Sequence, residues 1–94
     1  VVDGAKAVLG TKNSDDFFDI VDKHSHVKGI VFGHIHQEFF SIRKTISLFG
    51  SPSTGLQFTP GTKEVAISNE SPAYRILNLH SDGKIETEVV RVSQ

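Results

Sequence analysis

The chain contains no cysteine, no methionine and no tryptophan. Without thiols it has no disulfide scaffold, no thiolate zinc site and no cysteine nucleophile, a pattern compatible with a reducing cytosol. An excess of either charge is also missing. Ten Lys and Arg against eleven Asp and Glu leave a net charge of −1, so nothing in the balance attracts nucleic acid or an anionic membrane. No apolar run approaches the ~18 residues of a membrane span, and no secretory leader pattern is recognisable. The expected compartment is therefore the cytoplasm, with neither nucleic acid nor membrane as a partner. The lack of methionine extends to the first position, where the chain reads Val1-Val2-Asp3-Gly4. That start reads as excision from a longer protein.

What is present suits one small domain. The chain has 94 residues, a length at which roughly 60–70% of the unfolded surface is buried on folding. Leu, Ile, Val and Phe make up 30 of the 94 residues, well above the ~20% below which disorder is expected.

Residues 1–13 hold no sustained period and carry Gly4 and Gly10, so they read as a loop or extended lead-in. Asn13 or Ser14 can cap a helix, Asp15 and Asp16 complement the dipole of its first turn, and Phe17, Phe18, Ile20 and Val21 give it an apolar stripe. The pattern predicts a helix over about 14–24, with Asp15, Asp16, Asp19 and Asp22 on a solvated face. Gly29-Ile30-Val31-Phe32 is a short apolar run that predicts a strand covered on both faces. Residues 38–42 and 45–49 read as a hairpin across Arg43-Lys44, although that pair is not a favoured turn. Gly50–Gly55 is a small-residue loop. Short strands follow over 56–59, ended by Pro60-Gly61, and over 65–68. Residues 74–80 and 84–92 form a second hairpin across Ser81-Asp82-Gly83, where Asp-Gly is a strong turn signal. In its second arm Ile85, Thr87 and Val89 face one way, and Glu86 and Glu88 the other.

Four of the five histidines fall in two pairs, His24-Ser25-His26 and His34-Ile35-His36. A metal site needs several lone pairs converging at about 2 Å from one point, and either pair could chelate. His24 and His26 lie among Asp22, Lys23 and Lys28, where surface histidines supporting a helix C-terminus are the plainer reading. His34 and His36 end an apolar strand, the place where open α/β sheets bind ligands. Gly33 precedes them and could let the backbone bend or approach closely. On the residues alone, a metal role and a structural role for this pair both stand. Gln37 and Glu38 adjoin His36 as candidate supports, with strand-surface charge the simpler role for Glu38.

The run from Val27 through Gly33-His34-Ile35-His36 to Phe39 resembles the last metal-binding block of calcineurin-like metallophosphoesterases. Ser51-Pro52-Ser53-Thr54-Gly55-Leu56-Gln57-Phe58-Thr59-Pro60 is similar to the block that follows it in bacterial Icc-type cyclic-AMP phosphodiesterases. Residues 9–17 and 74–83 resemble the preceding helix and the C-terminal hairpin of the same enzymes. Gly55 departs from that pattern, which usually carries Cys there, and Arg43-Lys44 replaces an Asn-Gly-like turn.

The resemblance implies an α/β fold, namely the C-terminal part of a β-sandwich with mostly antiparallel strands and one helix near the N-terminus. Residues 1–94 would then be part of a single metallophosphoesterase domain. It implies two divalent cations (iron, manganese or zinc), with His34 on one and His36 on the other, and hydrolysis of 3′,5′-cyclic AMP to 5′-AMP. Gly33, Ser53 and Thr54 would lie near the substrate or the ligands, Ser53 and Thr54 having an ordinary polar loop as their simpler role. The family's upstream D-x-H, G-D and G-N-H blocks are not in this chain. Two histidines cannot complete two metal sites, so the chain alone is expected to be inactive and can be metal-free, with no catalytic residue of its own. Apolar surface bared by the missing layers is expected to drive assembly into a homodimer or larger species. Two rival readings remain: a non-catalytic β-rich binding module with structural histidines, and a metallophosphoesterase acting on another phosphate ester.

Overall fold

Phe18 and Val21, one helical turn apart, begin the core-facing stripe of the first element, α1 (Ser14–Val21). Asp15 and Asp16 occupy its first turn. The helix is shorter than its sequence pattern predicts because its end tightens. Lys23 N–H donates to Ile20 O at 3.2 Å and His24 N–H to Val21 O at 3.0 Å, three-residue closures that turn the chain out of the helix. The computed structural model describes residues 14–59 and 66–93. The lead-in over 1–13, the Pro60-Gly61 stop and the start of the strand at Val65 lie outside the described residues.

The remaining elements are strands: β1 (Gly29–Phe32), β2 (Phe39–Arg43), β3 (Ile46–Gly50), β4 (Gln57–Phe58), β5 (Ile67–Ser68), β6 (Ala73–Leu79) and β7 (Ile85–Arg91). They form a three-stranded sheet in the order β1-β3-β2 and two two-stranded sheets, β4-β5 and β6-β7. All pairings are antiparallel except β1 with β3. Among the described residues the fold is thus mostly antiparallel strands with one short helix toward the N-terminal side, as expected.

The β2–β3 hairpin turns over Lys44 and Thr45. Lys44 takes the left-handed conformation (φ 57°) that Asn or Gly would adopt more easily. What compensates is a charge cluster. Arg43 grips the Asp22 carboxylate with both terminal nitrogens, and Lys44 Nζ reaches the same carboxylate at 3.0 Å. The Arg43 guanidinium also lies 4.1 Å over the Phe18 ring. Asp22 is exposed, as expected, but it lies just past the last residue of α1 and is paired with two cations. It ties the end of α1 to the hairpin turn, and the two cations beside it hold its carboxyl down at about 2.

Phe18, Ile35, Ile46, Leu48, Phe49 and Ala73 form the buried apolar core. β1 is not covered on both faces. Register places Val31 beside Phe49 and Phe49 beside Phe40, so the three share one face of the sheet. The β6–β7 hairpin covers part of that face: Ile85 Cδ1 lies 2.8 Å from the position a Cβ on Gly29 would take, and Arg75 lies over the buried Phe49 ring at 5.5 Å. Val31, Phe40 and Ile42 are left at least half exposed. Arg75 joins the hairpin to the sheet by donating to Thr87 Oγ1 within β7 and to Gly50 O at the end of β3, both at 3.0 Å. Burial pushes its guanidinium down, against the opposing charge of Glu38.

Candidate functional site

β1 ends at Phe32, and the chain then makes a short loop, Gly33–Glu38, before β2. The loop holds both histidines in the left-handed region, His34 at φ 78° and His36 at φ 52°. Non-glycine residues there carry a strain of order 1–3 kcal/mol each, and such strain collects at functional sites. Gly33 is the residue without a special conformation. Its φ lies outside the left-handed region, and a Cβ on it would meet nothing within 4 Å. The bend expected at Gly33 is made by the two histidines.

Ile35, between them, is fully buried and anchors the loop. It fits because β3 ends in Gly50, where a Cβ would stand 2.7 Å from Ile35 Cδ1 and 2.8 Å from Phe39 Cβ. With Ile35 inside, His34 is exposed and His36 is half-buried.

His36 is held on three sides. Its carbonyl accepts from Phe58 N–H at 2.9 Å. Its ring stacks on the Phe58 ring, with centroids 4.4 Å apart and planes 11° from parallel. Its Nδ1 lies 2.8 Å from Leu56 O. A carbonyl oxygen only accepts, so in the neutral ring Nδ1 carries the proton and Nε2 keeps its lone pair free. This is the arrangement by which histidine ligands are oriented toward metals.

The segment that supplies Leu56 and Phe58 begins in the Ser51–Gly55 loop. Ser53 is a brace within it, its Oγ accepting from Gly55 N–H at 2.9 Å and its carbonyl from Ala73 N–H at 2.9 Å. Thr54 is exposed, as an ordinary polar loop residue would be. The sequence did not point to Gln57, which is completely buried. Its Oε1 accepts from Ser53 N–H at 2.8 Å, and its Nε2 donates to Ser53 O at 2.7 Å and Ser71 O at 3.0 Å. An alternating polar residue in a two-residue strand carries no periodic signal. Only its place inside the P-S-T-x-x-Q-F block could have drawn attention to it.

The other candidates stand apart from this arrangement. His24 and His26 are exposed after the helix, with ring centroids 5.5 Å apart and edge to face. Glu38 pairs with Arg91 at 3.1 Å, a surface contact, while Gln37 is buried. Among the described residues no three His, Cys, Asp or Glu side chains converge as a metal would require. The donor set therefore fits a divalent metal in kind, since neutral imidazole suits iron, manganese and zinc, but not in number.

The chain is similar to bacterial cyclic-nucleotide phosphodiesterases. It is 39% identical over 84 residues to the 3′,5′-cyclic adenosine monophosphate phosphodiesterase CpdA of Pseudomonas aeruginosa, covering 89% of this chain and 31% of that protein. It is 42% identical over 81 residues to the 3′,5′-cyclic-nucleotide phosphodiesterase alr5338 of Nostoc, covering 86% and 30%. The CpdA of Escherichia coli K12 is 35% identical over 82 residues, covering 87% and 30%. A match over 84 of 94 residues takes in both histidine pairs and Gln57. The chain spans about 30% of the length of these relatives. No family model matches the chain, and no solved structure matches it. No helix among the described residues is long and apolar enough to cross a membrane.

Proposed function

We propose that this chain is the C-terminal part of a metallophosphoesterase domain, and that the whole protein is a cytoplasmic phosphodiesterase hydrolysing 3′,5′-cyclic AMP to 5′-AMP. The observation that carries the reading is the likeness to named cyclic-nucleotide phosphodiesterases along nearly nine-tenths of the chain. The strained His34-Ile35-His36 loop at the end of β1 supports it from the structure.

In this reading His34 and His36 each give one imidazole nitrogen to one of two divalent cations (iron, manganese or zinc), and residues outside this chain complete both sites. A bound pair of such cations stabilises the attacking and leaving oxygens of an in-line phosphoryl displacement and makes water acidic enough to attack at neutral pH. The chain's own part is positional. Ile35 fixes the loop from below. The Leu56 carbonyl and the Phe58 ring hold His36 with Nε2 free, so little ordering is left to be done when a ligand arrives. Gly33 leaves open space in front of the loop, room that a Cβ would begin to fill. Ser53 and Thr54 serve the loop behind the ligands, Ser53 as its brace.

The isolated 94 residues lack most of the donors that two metals need, and they are proposed to be inactive and to self-associate through their bare apolar face. Assay of the full-length protein on 3′,5′-cyclic AMP with a divalent cation tests the function. Release of 5′-AMP is the expected outcome. Turnover of phosphomonoesters or other diesters alone would select a different metallophosphoesterase. No turnover of any ester, with metal binding unaffected by loss of either histidine, would select a binding module.

A further inference from the structure

The Leu56–Phe58 segment that holds His36 is itself set by one side chain. Gln57 lies between Leu56 and Phe58 and points the opposite way along the strand, into the interior. It is fully buried, and its carboxamide is used completely along one side: Ser53 N–H gives to Oε1, and Nε2 gives to Ser53 O and Ser71 O. It thereby clips the Ser53–Gln57 turn shut and joins it to the chain entering β6. The residues on either side then have little freedom. Leu56 presents its carbonyl to His36 Nδ1, and Phe58 presents its ring to the imidazole and its N–H to the His36 carbonyl. The Leu56 side chain is nearly half exposed and takes no part in this.

We propose that Gln57 is a positioning residue for His36: by fixing the Leu56 carbonyl it selects the Nδ1–H tautomer and keeps the Nε2 lone pair aimed outward as a metal donor. The proposal deepens the reading of His36 as a ligand and rests on it for its consequence, though not for its geometry. A polar group chosen only to fill a core would leave nothing behind when replaced by an apolar one of similar size. Replacing Gln57 instead leaves Ser53 N–H without its acceptor, while Ser53 O and Ser71 O keep only Ala73 N–H and Arg91 Nη1, and the turn must open for that N–H to find water.

The experiment uses the full-length protein and two readouts. The first is the tautomer of His36, read from the 15N shifts and two-bond couplings of its ring in the metal-free protein. The second is affinity for Mn2+ alone. Wild type should show protonated Nδ1. Gln57→Leu should lose that preference and bind Mn2+ about 10–100-fold more weakly, the usual effect of removing a group that orients a ligand. Gln57→Glu keeps the acceptor for Ser53 N–H and should fall between the two. It decides the matter if Gln57→Leu does not fold. Leu56→Ala, which keeps the carbonyl, should behave as wild type.

A wild-type His36 protonated on Nε2 overturns the proposal. So does a folded Gln57→Leu or Gln57→Glu with unchanged tautomer and unchanged Mn2+ affinity. His36→Ala separates the two layers. If it binds Mn2+ as wild type does while Gln57→Leu still shifts the His36 tautomer, the ligand reading fails and the positioning role stands. If His36→Ala loses Mn2+ while both Gln57 variants keep it, the positioning role fails and the ligand reading stands.

Discussion

Two histidines at positive φ, two positions apart with the buried Ile35 between them, are the most informative single residues in the chain. Their identity was legible from the spacing of G-H-x-H. Their conformation was not, because glycine at the preceding position looks like the natural place for a bend and turns out not to need one. Asp22 shows the same limit from another side. In sequence it is one more acid on an acidic helix. In space it receives Arg43 and Lys44, from a turn more than twenty residues away. Its carboxyl is held at about 2 against an ordinary 3.8, so the folded state binds its proton less readily than the unfolded chain does. The contribution of this cluster is therefore complete above pH ~4 and is lost as pH falls toward 2. Asp22→Asn should be less stable than wild type at pH 6, and the difference should shrink between pH 4 and pH 2. Urea melts across that range check it, and a difference independent of pH would contradict it.

Among the elements, strands with a local signal were found where the sequence placed them. β1 has the bounds of its apolar run, and the Asp82-Gly83 turn joins β6 to β7, with Gly83 at φ 92°. The β2–β3 hairpin was also legible, but its poor turn pair made sense only once Asp22 was seen beside it. Two features were out of reach. Parallel pairing of β1 with β3 is a tertiary choice that no local pattern encodes, and it decides which face of β1 stays bare. The close approach at the end of β3 is the other. Gly50 sits against Ile35, Phe39 and Phe32, so it reads in sequence as a loop residue while acting as a packing site. Gly50→Ala should destabilise the fold by about 1–3 kcal/mol, the usual effect of overpacking a core. It should also weaken the hold on Ile35. Thermal or denaturant unfolding measures the first effect, and a stability equal to wild type would show that the Ile35 loop can retreat freely.

The whole molecule is flat. Its extents are 40 × 31 × 15 Å and its radius of gyration is 14.2 Å, against roughly 12–13 Å for a compact chain of this size. A slab of this thickness leaves apolar side chains on one side without a covering layer, and Val31, Phe40 and Ile42 stand bare together on the central sheet. The relatives the chain matches are about three times as long. In isolation the chain should bury the face against copies of itself. Sedimentation should give a dimer or larger species, and Phe40→Ser with Ile42→Thr should shift it toward monomer. A monomer at high concentration without those changes would contradict the expectation. The central claim is that His34 and His36 serve a phosphodiesterase centre that only the full protein completes. Its most direct test is hydrolysis of 3′,5′-cyclic AMP, with 5′-AMP counted, by the full-length protein, by its His34→Ala and His36→Ala variants, and by the 94 residues alone. The account predicts turnover for the first, at least a hundredfold less for each variant, on the order expected when a group stabilising the transition state is removed, and none for the isolated chain. Variants as active as the full-length wild type, or an isolated chain that matches it, would contradict the account.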